Sequence, residues 1–278
     1  MRGRALFVCT AAVAISCATA AAAQAPPPPN VVATVSPQAV TLQGAEALPA
    51  GPTRFEIRNS ARRRPADVNI VALNPGVTVD ALRAALARGG DNPRPFKRIL
   101  SFEANGLAPP GGRYVTTINL KPGLTYVVLN AQRRLASSPL AVFTVGQQPS
   151  GAVAPAPAAT VGLVDYAFRM PATLPRRGVV RFENRGERLH IAVAFRARRG
   201  VRPRSLVRVL RRGQERRLER MVSGVAEPLG LVSGGTVNDV EVNFQRPGNW
   251  VFACFIEDGE RGNPPHTSLG MVRSFRVR

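Results

Sequence analysis

The sequence has 278 residues, 45% of them apolar and 20% charged, with a formal net charge of +21. That length accommodates one or two domains with buried cores, and the composition is that of a globular chain rather than a disordered or fibrous one. Positive charge on this scale ordinarily points to nucleic acid, but the N-terminus argues against that partner.

Met1 to Arg4 carry two arginines, Ala5 to Ser16 form an apolar run, and small residues lead to Ala23. This is the pattern of a secretory signal peptide, expected over residues 1–23, followed by a Pro-rich linker over 24–30. The apolar run is too short to span a bilayer, and no later segment is long and apolar enough, so no transmembrane segment is expected in the mature chain. Export places the protein in the periplasm or outside the cell; a lipid anchor at Cys17 is the alternative reading. An exported chain is not expected to meet nucleic acid. Its charge is almost all arginine, since Lys97 and Lys121 are the only lysines. It fits an acidic redox partner protein or an anionic cell-envelope surface, or else arginine that is simply solvated.

From Val31 the chain reads mostly as strands. Thr53–Asn59 and Tyr114–Leu120 alternate apolar and polar residues, Tyr126–Asn130 is apolar, and Leu140–Val145 closes the segment. Thr78–Arg88 breaks the pattern with Val79, Leu82 and Leu86 at helical spacing. A Pro/Ala-rich linker is expected over 147–160. Beyond it the same order returns: strands at Val179–Glu183, Thr236–Phe244, Trp250–Phe255 and Val272–Val277, and a helical insert at Pro203–Val222. Local motifs repeat too. Arg54-Phe55-Glu56 matches Arg181-Phe182-Glu183, Gly76-Val77 matches Gly200-Val201, and Pro122-Gly123 before Tyr126 matches Pro247-Gly248 before Trp250. The expected fold is therefore all-β, with two tandem β-sandwich domains (31–146 and 161–278) that are copies of one unit, each with a short helical insert.

The whole chain has two histidines, His190 and His266, and loss of the signal leaves one cysteine, Cys254. All three lie in the second copy, together with Met271. Two imidazoles, a thiolate and a thioether are the ligand set of a type 1 copper site, where soft sulfur favours Cu(I) and imidazole accepts both oxidation states. His190 is expected at a strand start, Cys254 at a strand end, and His266 and Met271 in the loop before the last strand, so that they meet at one pole. Taken singly, each residue also reads as an ordinary core residue, and an odd exported thiol can stay inert or join a second chain.

The run His266-Thr-Ser-Leu-Gly270-Met271-Val272, and the Pro-Gly-x-aromatic run leading to Cys254, resemble those of the cupredoxin family (plastocyanin- and azurin-like blue copper proteins). The resemblance covers residues 161–278 and extends to 31–146 in fold only. It implies Greek-key sandwiches and one copper ion, with His190, Cys254 and His266 as equatorial ligands and Met271 as the axial one. It also implies one-electron transfer or copper handling outside the cytoplasm, with His266 near the surface as the electron exit. The sequence departs from the family pattern in the eleven residues between Cys254 and His266 and in Ile191, where a polar residue is usual. The first copy has no His or Cys and places Leu129 opposite Cys254. A metal-free interaction protein on the same fold is the alternative. An enzyme is not expected, because copper oxidases and nitrite reductases need further histidine-rich centres.

Overall fold

The computed structural model describes residues 25–88, 96, 98–131, 134–224, 227–257 and 264–278. The expected signal peptide, with Cys17, lies outside the described residues. In the first half the strands are β1 (Asn30–Val35), β2 (Val40–Gln43), β3 (Leu48–Asn59), β4 (Ala66–Leu73), β5 (Leu100–Ala108), β6 (Arg113–Leu120), β7 (Thr125–Ala131) and β8 (Leu140–Pro149). In the second half they are β9 (Ala159–Val164), β10 (Ala167–Arg169), β11 (Thr173–Leu174), β12 (Arg177–Asn184), β13 (His190–Arg196), β14 (Glu227–Val232), β15 (Val237–Asn243), β16 (Gly248–Ala253) and β17 (Val272–Val277). The protein is thus mostly β, as alternation and β-branched content predict. Between the two halves, β8 continues to Pro149 and β9 starts at Ala159.

The strands form two layers. One runs β2-β1-β3-β6-β15-β12-β9-β10. The other runs β8-β7-β4-β5-β14-β13-β16-β17-β11. Alternate residues of both layers face inward into a single core, where Phe55 meets Phe143 and Phe182 meets Phe252 across the sandwich. The layers continue from one half of the chain into the other, through β6–β15 and β5–β14. Two separately closed sandwiches are not what these pairings describe. Local periodicity carries no information about such strand pairing between distant segments.

The pairings of the two halves repeat. Val31 lies opposite Phe55 in parallel β1–β3, and Val161 opposite Phe182 in parallel β9–β12. Arg54 faces Thr117, Arg181 faces Asp239, and Thr117 and Asp239 then pair with each other where the halves join. Asn59 and Asn184 occupy matching corners. Each amide donates to main-chain carbonyls on both sides of the corner, Asn59 to Arg64 and Ala108, Asn184 to Arg188 and Val232. Each also accepts from a main-chain N–H two residues on, at Ala61 and Gly186.

Helices cover the outer face of the second layer. Helix Val79–Arg88 packs Leu82 and Leu86 on Val127 and Leu129. The second insert is two helices rather than one, Pro203–Arg211 and Glu215–Met221, broken at Gly213 with φ +59°. Leu206 and Leu210 pack on Val251, Ala253 and Val272 of β16 and β17.

Candidate metal centre

Three segments bring four residues to one pole of the second half. His190 opens β13, Cys254 follows the last residue of β16, and His266 and Met271 lie in the tight turn before β17. All four are buried, with relative exposures of 0% for His190, Cys254 and Met271 and 1% for His266.

The main chain fixes this convergence. Cys254 N donates to Met271 O, and Met271 N donates to His266 O, closing the turn beneath β16. The eleven residues between Cys254 and His266 do not lengthen the path between them. His266 N donates to Ile256 O, Thr267 N donates to Cys254 O, and Glu257 bridges Pro265. The base of the excursion is zipped like a hairpin, and the two side chains are returned to one place. Of the carboxylates in this excursion, Glu257 is exposed; Asp258 and Glu260 lie outside the described residues.

The donor atoms face one another. His190 Nδ1 is 3.1 Å from His266 Nδ1, and Cys254 Sγ is 3.9 Å and 3.5 Å from these two atoms. A triangle with those edges has its centre about 2 Å from every corner, the length of a first-row metal–nitrogen bond and near that of a metal–thiolate bond. His190, Cys254 and His266 form the cluster of potential metal ligands found among the described residues. Two imidazoles and one thiolate with a methionine beside them is the donor chemistry of copper that changes oxidation state. The cluster fits one blue copper ion.

Electrostatics shape the centre before any metal arrives. Burial pushes the Cys254 thiol up to about 11, although the Ile191 and Ile256 main-chain amides stabilise the thiolate. Burial also lowers the pKa of His190, against the opposing pull of Asp165, and so favours the neutral imidazole a metal requires. The Ile191 N–H lies 3.4 Å from Cys254 Sγ. A main-chain donor therefore reaches the sulfur, and the nonpolar Ile191 side chain does not prevent it.

Two residues missed in the sequence complete the site, and both come from the turn between β9 and β10. Asp165 Oδ1 lies 3.2 Å from His190 Nε2. A carboxylate only accepts, so the ring carries its proton on Nε2 and turns the Nδ1 lone pair toward Cys254 and His266. Tyr166 lays its ring edge-on against His266 at 5.1 Å between centroids, and the Arg188 guanidinium stands 5.8 Å over the tyrosine ring. Tyr166 is also the one non-glycine residue with positive φ (63°) among the described residues, a strained conformation of the kind found at functional sites. His266 is consequently not the surface residue the family resemblance implies, because it is covered.

The first half shows what stands in the corresponding places. Its register puts Ala66 where His190 is and Asn130, not Leu129, where Cys254 is. Tyr126 follows Pro122-Gly123 by one residue more than Trp250 follows Pro247-Gly248, so Leu129 faces the outer helix instead. Asn130 N donates to Pro139 O as Cys254 N does to Met271 O, and the Asn130 amide donates to Ser36 O.

No protein-family model matches this sequence, and no curated protein matches it. Solved structures do. Auracyanin A, a blue copper protein from Chloroflexus aurantiacus, is 15% identical, with 43% of this chain and 99% of that chain covered at a TM-score of 0.32. A copper-containing nitrite reductase from Thermus scotoductus is 12% identical over 91% of this chain and 68% of that one, at a TM-score of 0.24. A multi-copper oxidase from Pediococcus acidilactici is 12% identical over 90% of this chain and 58% of that one, also at 0.24. The last two correct the expectation that the chain is not an enzyme. Structures similar over most of its length include enzymes, and a histidine count bounds only centres that a single chain builds alone. That exclusion is withdrawn. Among the described residues, no helix is long and apolar enough to cross a membrane.

Proposed function

We propose that this is an exported copper protein, acting in the periplasm or beyond the cell, in which His190, Cys254 and His266 would hold one copper ion with Met271 beside them. Its role is one-electron transfer or copper handling. The observation that carries this reading is the triangle of Nδ1, Nδ1 and Sγ atoms, with a centre at metal-bond distance from all three. Copper supplies the one-electron couple. The chain's own residues do the rest: Asp165 turns His190 toward the centre, Ile191 N–H donates to the sulfur, and the closed turn from Cys254 to Met271 holds the sulfur donors and His266 in a dry site. The division into a ligand-free unit (31–146) and a copper unit (161–278) belongs to the same proposal, supported by the repeated register and by Ala66, Asn130 and Pro139 in the ligand positions of the first half.

The deciding experiment adds Cu(II) to the purified mature protein and records visible and EPR spectra. An intense thiolate-to-copper band that disappears in Cys254→Ala is the expected result. A colourless protein that retains no copper and keeps Cys254 reduced would overturn the reading and leave an interaction module on the same fold.

A further inference from the structure

The strongest concentration of charge in the chain lies against the outer face of this centre. Eleven arginines fall between residues 196 and 221, against two carboxylates, Glu215 and Glu219. Ten of the arginines are exposed. None forms an ion pair with another described residue, whereas Arg54, Arg58, Arg181 and Arg185 elsewhere all do. Guanidinium groups without an ion pair, crowded on two short helices and the segments that flank them, repel one another, so their own fold gains little from them.

Their position is set by packing. Helix Pro203–Arg211 buries Leu206 and Leu210 on Val251, Ala253 and Val272. Ala253 directly precedes Cys254, and Val272 directly follows Met271. The basic surface therefore rides on the two strands that hold the sulfur donors. At the turn into the second helix, Gln214, Glu215, Arg216, Arg217 and Arg220 line an open cleft of ≈ 450 Å³, three guanidinium groups against one carboxylate.

We infer that this helical pair is the docking face for an acidic one-electron redox protein, the partner with which the proposed copper centre exchanges electrons; the inference rests on that reading of the centre. An acidic protein fits better than a bilayer. A basic helix that binds membranes inserts an apolar face, and here Leu206, Val209 and Leu210 are already buried, with Leu218 and Met221 packed on the same cluster. What remains outward is guanidinium, which pairs with carboxylates in a bidentate fork. A charged face beside the centre raises the encounter rate and orients the partner toward it.

The test compares two full-length variants with the same change in charge: R211Q/R216Q/R217Q/R220Q on the helices and R62Q/R63Q/R64Q/R83Q in the first half. Binding of poly-L-glutamate to the metal-free proteins at low salt is expected to weaken about tenfold in the helix variant and under about threefold in the control. Equal weakening in both would overturn the inference, since net charge alone would then explain binding. So would a helix variant that loses binding to phosphatidylglycerol vesicles but keeps poly-L-glutamate. If the fourfold variant fails to fold by circular dichroism, R216Q/R217Q is measured in the same way. For the copper-loaded protein, oxidation of Cu(I) by hexacyanoferrate(III), one electron passing to Fe(III), is expected to slow about tenfold in the helix variant only; equal rates in the two variants would overturn the role of this face. The binding arm needs no copper, so failure of the copper reading leaves its outcome distinct.

Discussion

Asp165 Oδ1 lies 3.2 Å from His190 Nε2, on the side of the ring opposite the Nδ1 that faces Cys254. That single contact selects the tautomer the centre needs. Replacing Asp165 with Ala frees the ring to tautomerise and turn, and copper affinity is expected to fall about 10- to 100-fold. Asp165→Asn keeps an acceptor oxygen and should recover part of the loss. Competition with a chelator of known affinity measures both, and equal affinity in all three proteins would remove Asp165 from the site.

Much of the centre was legible in the sequence because its residue types are rare. With two histidines and, beyond the expected signal, one cysteine, the order His190, Cys254, His266, Met271 leaves few ways to build a cluster. Asp165 and Tyr166 were not legible. They sit 25 and 24 residues before His190, on a turn, where an acid and an aromatic ordinarily read as solvated and half-buried. A turn between two short strands at the start of the copy was the available signal. The continuity of the layers was invisible for a different reason. It depends on β5 meeting β14 and β6 meeting β15, contacts between segments more than a hundred residues apart.

The thiol gives the metal-free protein a pH signature. Cys254 is pushed from the ordinary 9.0 up to about 11, so between these values the folded chain holds a proton that the unfolded chain has lost. Stability from this group is therefore complete below about pH 9 and declines as pH rises toward 11. Urea unfolding of the metal-free protein across this range should show the decline, and Cys254→Ala should flatten it. The same proton must leave when copper binds. Apparent copper affinity should thus rise about tenfold per pH unit between pH 7 and 8, and a pH-independent affinity would mean that the thiolate is not a ligand.

Asn59 and Asn184 offer an internal control. Each ties its corner with two or more donated bonds and one accepted bond, and substitution by Ala leaves buried carbonyls without a partner. Each change is expected to cost about 2–4 kcal/mol in urea unfolding of the metal-free protein. Only Asn184→Ala should also weaken copper binding, because its amide holds Arg188 O and Val232 O, and Val232 is the strand partner of His190. Copper affinity that falls equally in both variants would mean that global loosening, not the His190 corner, is responsible.

The excursion between Cys254 and His266 departs most from the family pattern, and it separates ligand geometry from loop length. Its base is closed by His266 N to Ile256 O, Thr267 N to Cys254 O, and the Glu257–Pro265 bridge. Those contacts, rather than the residues beyond them, return His266 to the sulfur. Replacing residues 258–263 with two glycines keeps every one of them and shortens the loop, a change worth well under 1 kcal/mol in closure entropy. Copper affinity is expected to stay within about threefold of the parent, with the thiolate-to-copper band retained. Loss of the band in a variant that still folds would show that the excursion itself helps to shape the centre, and the zipped base would not be a sufficient account of how His266 reaches Cys254.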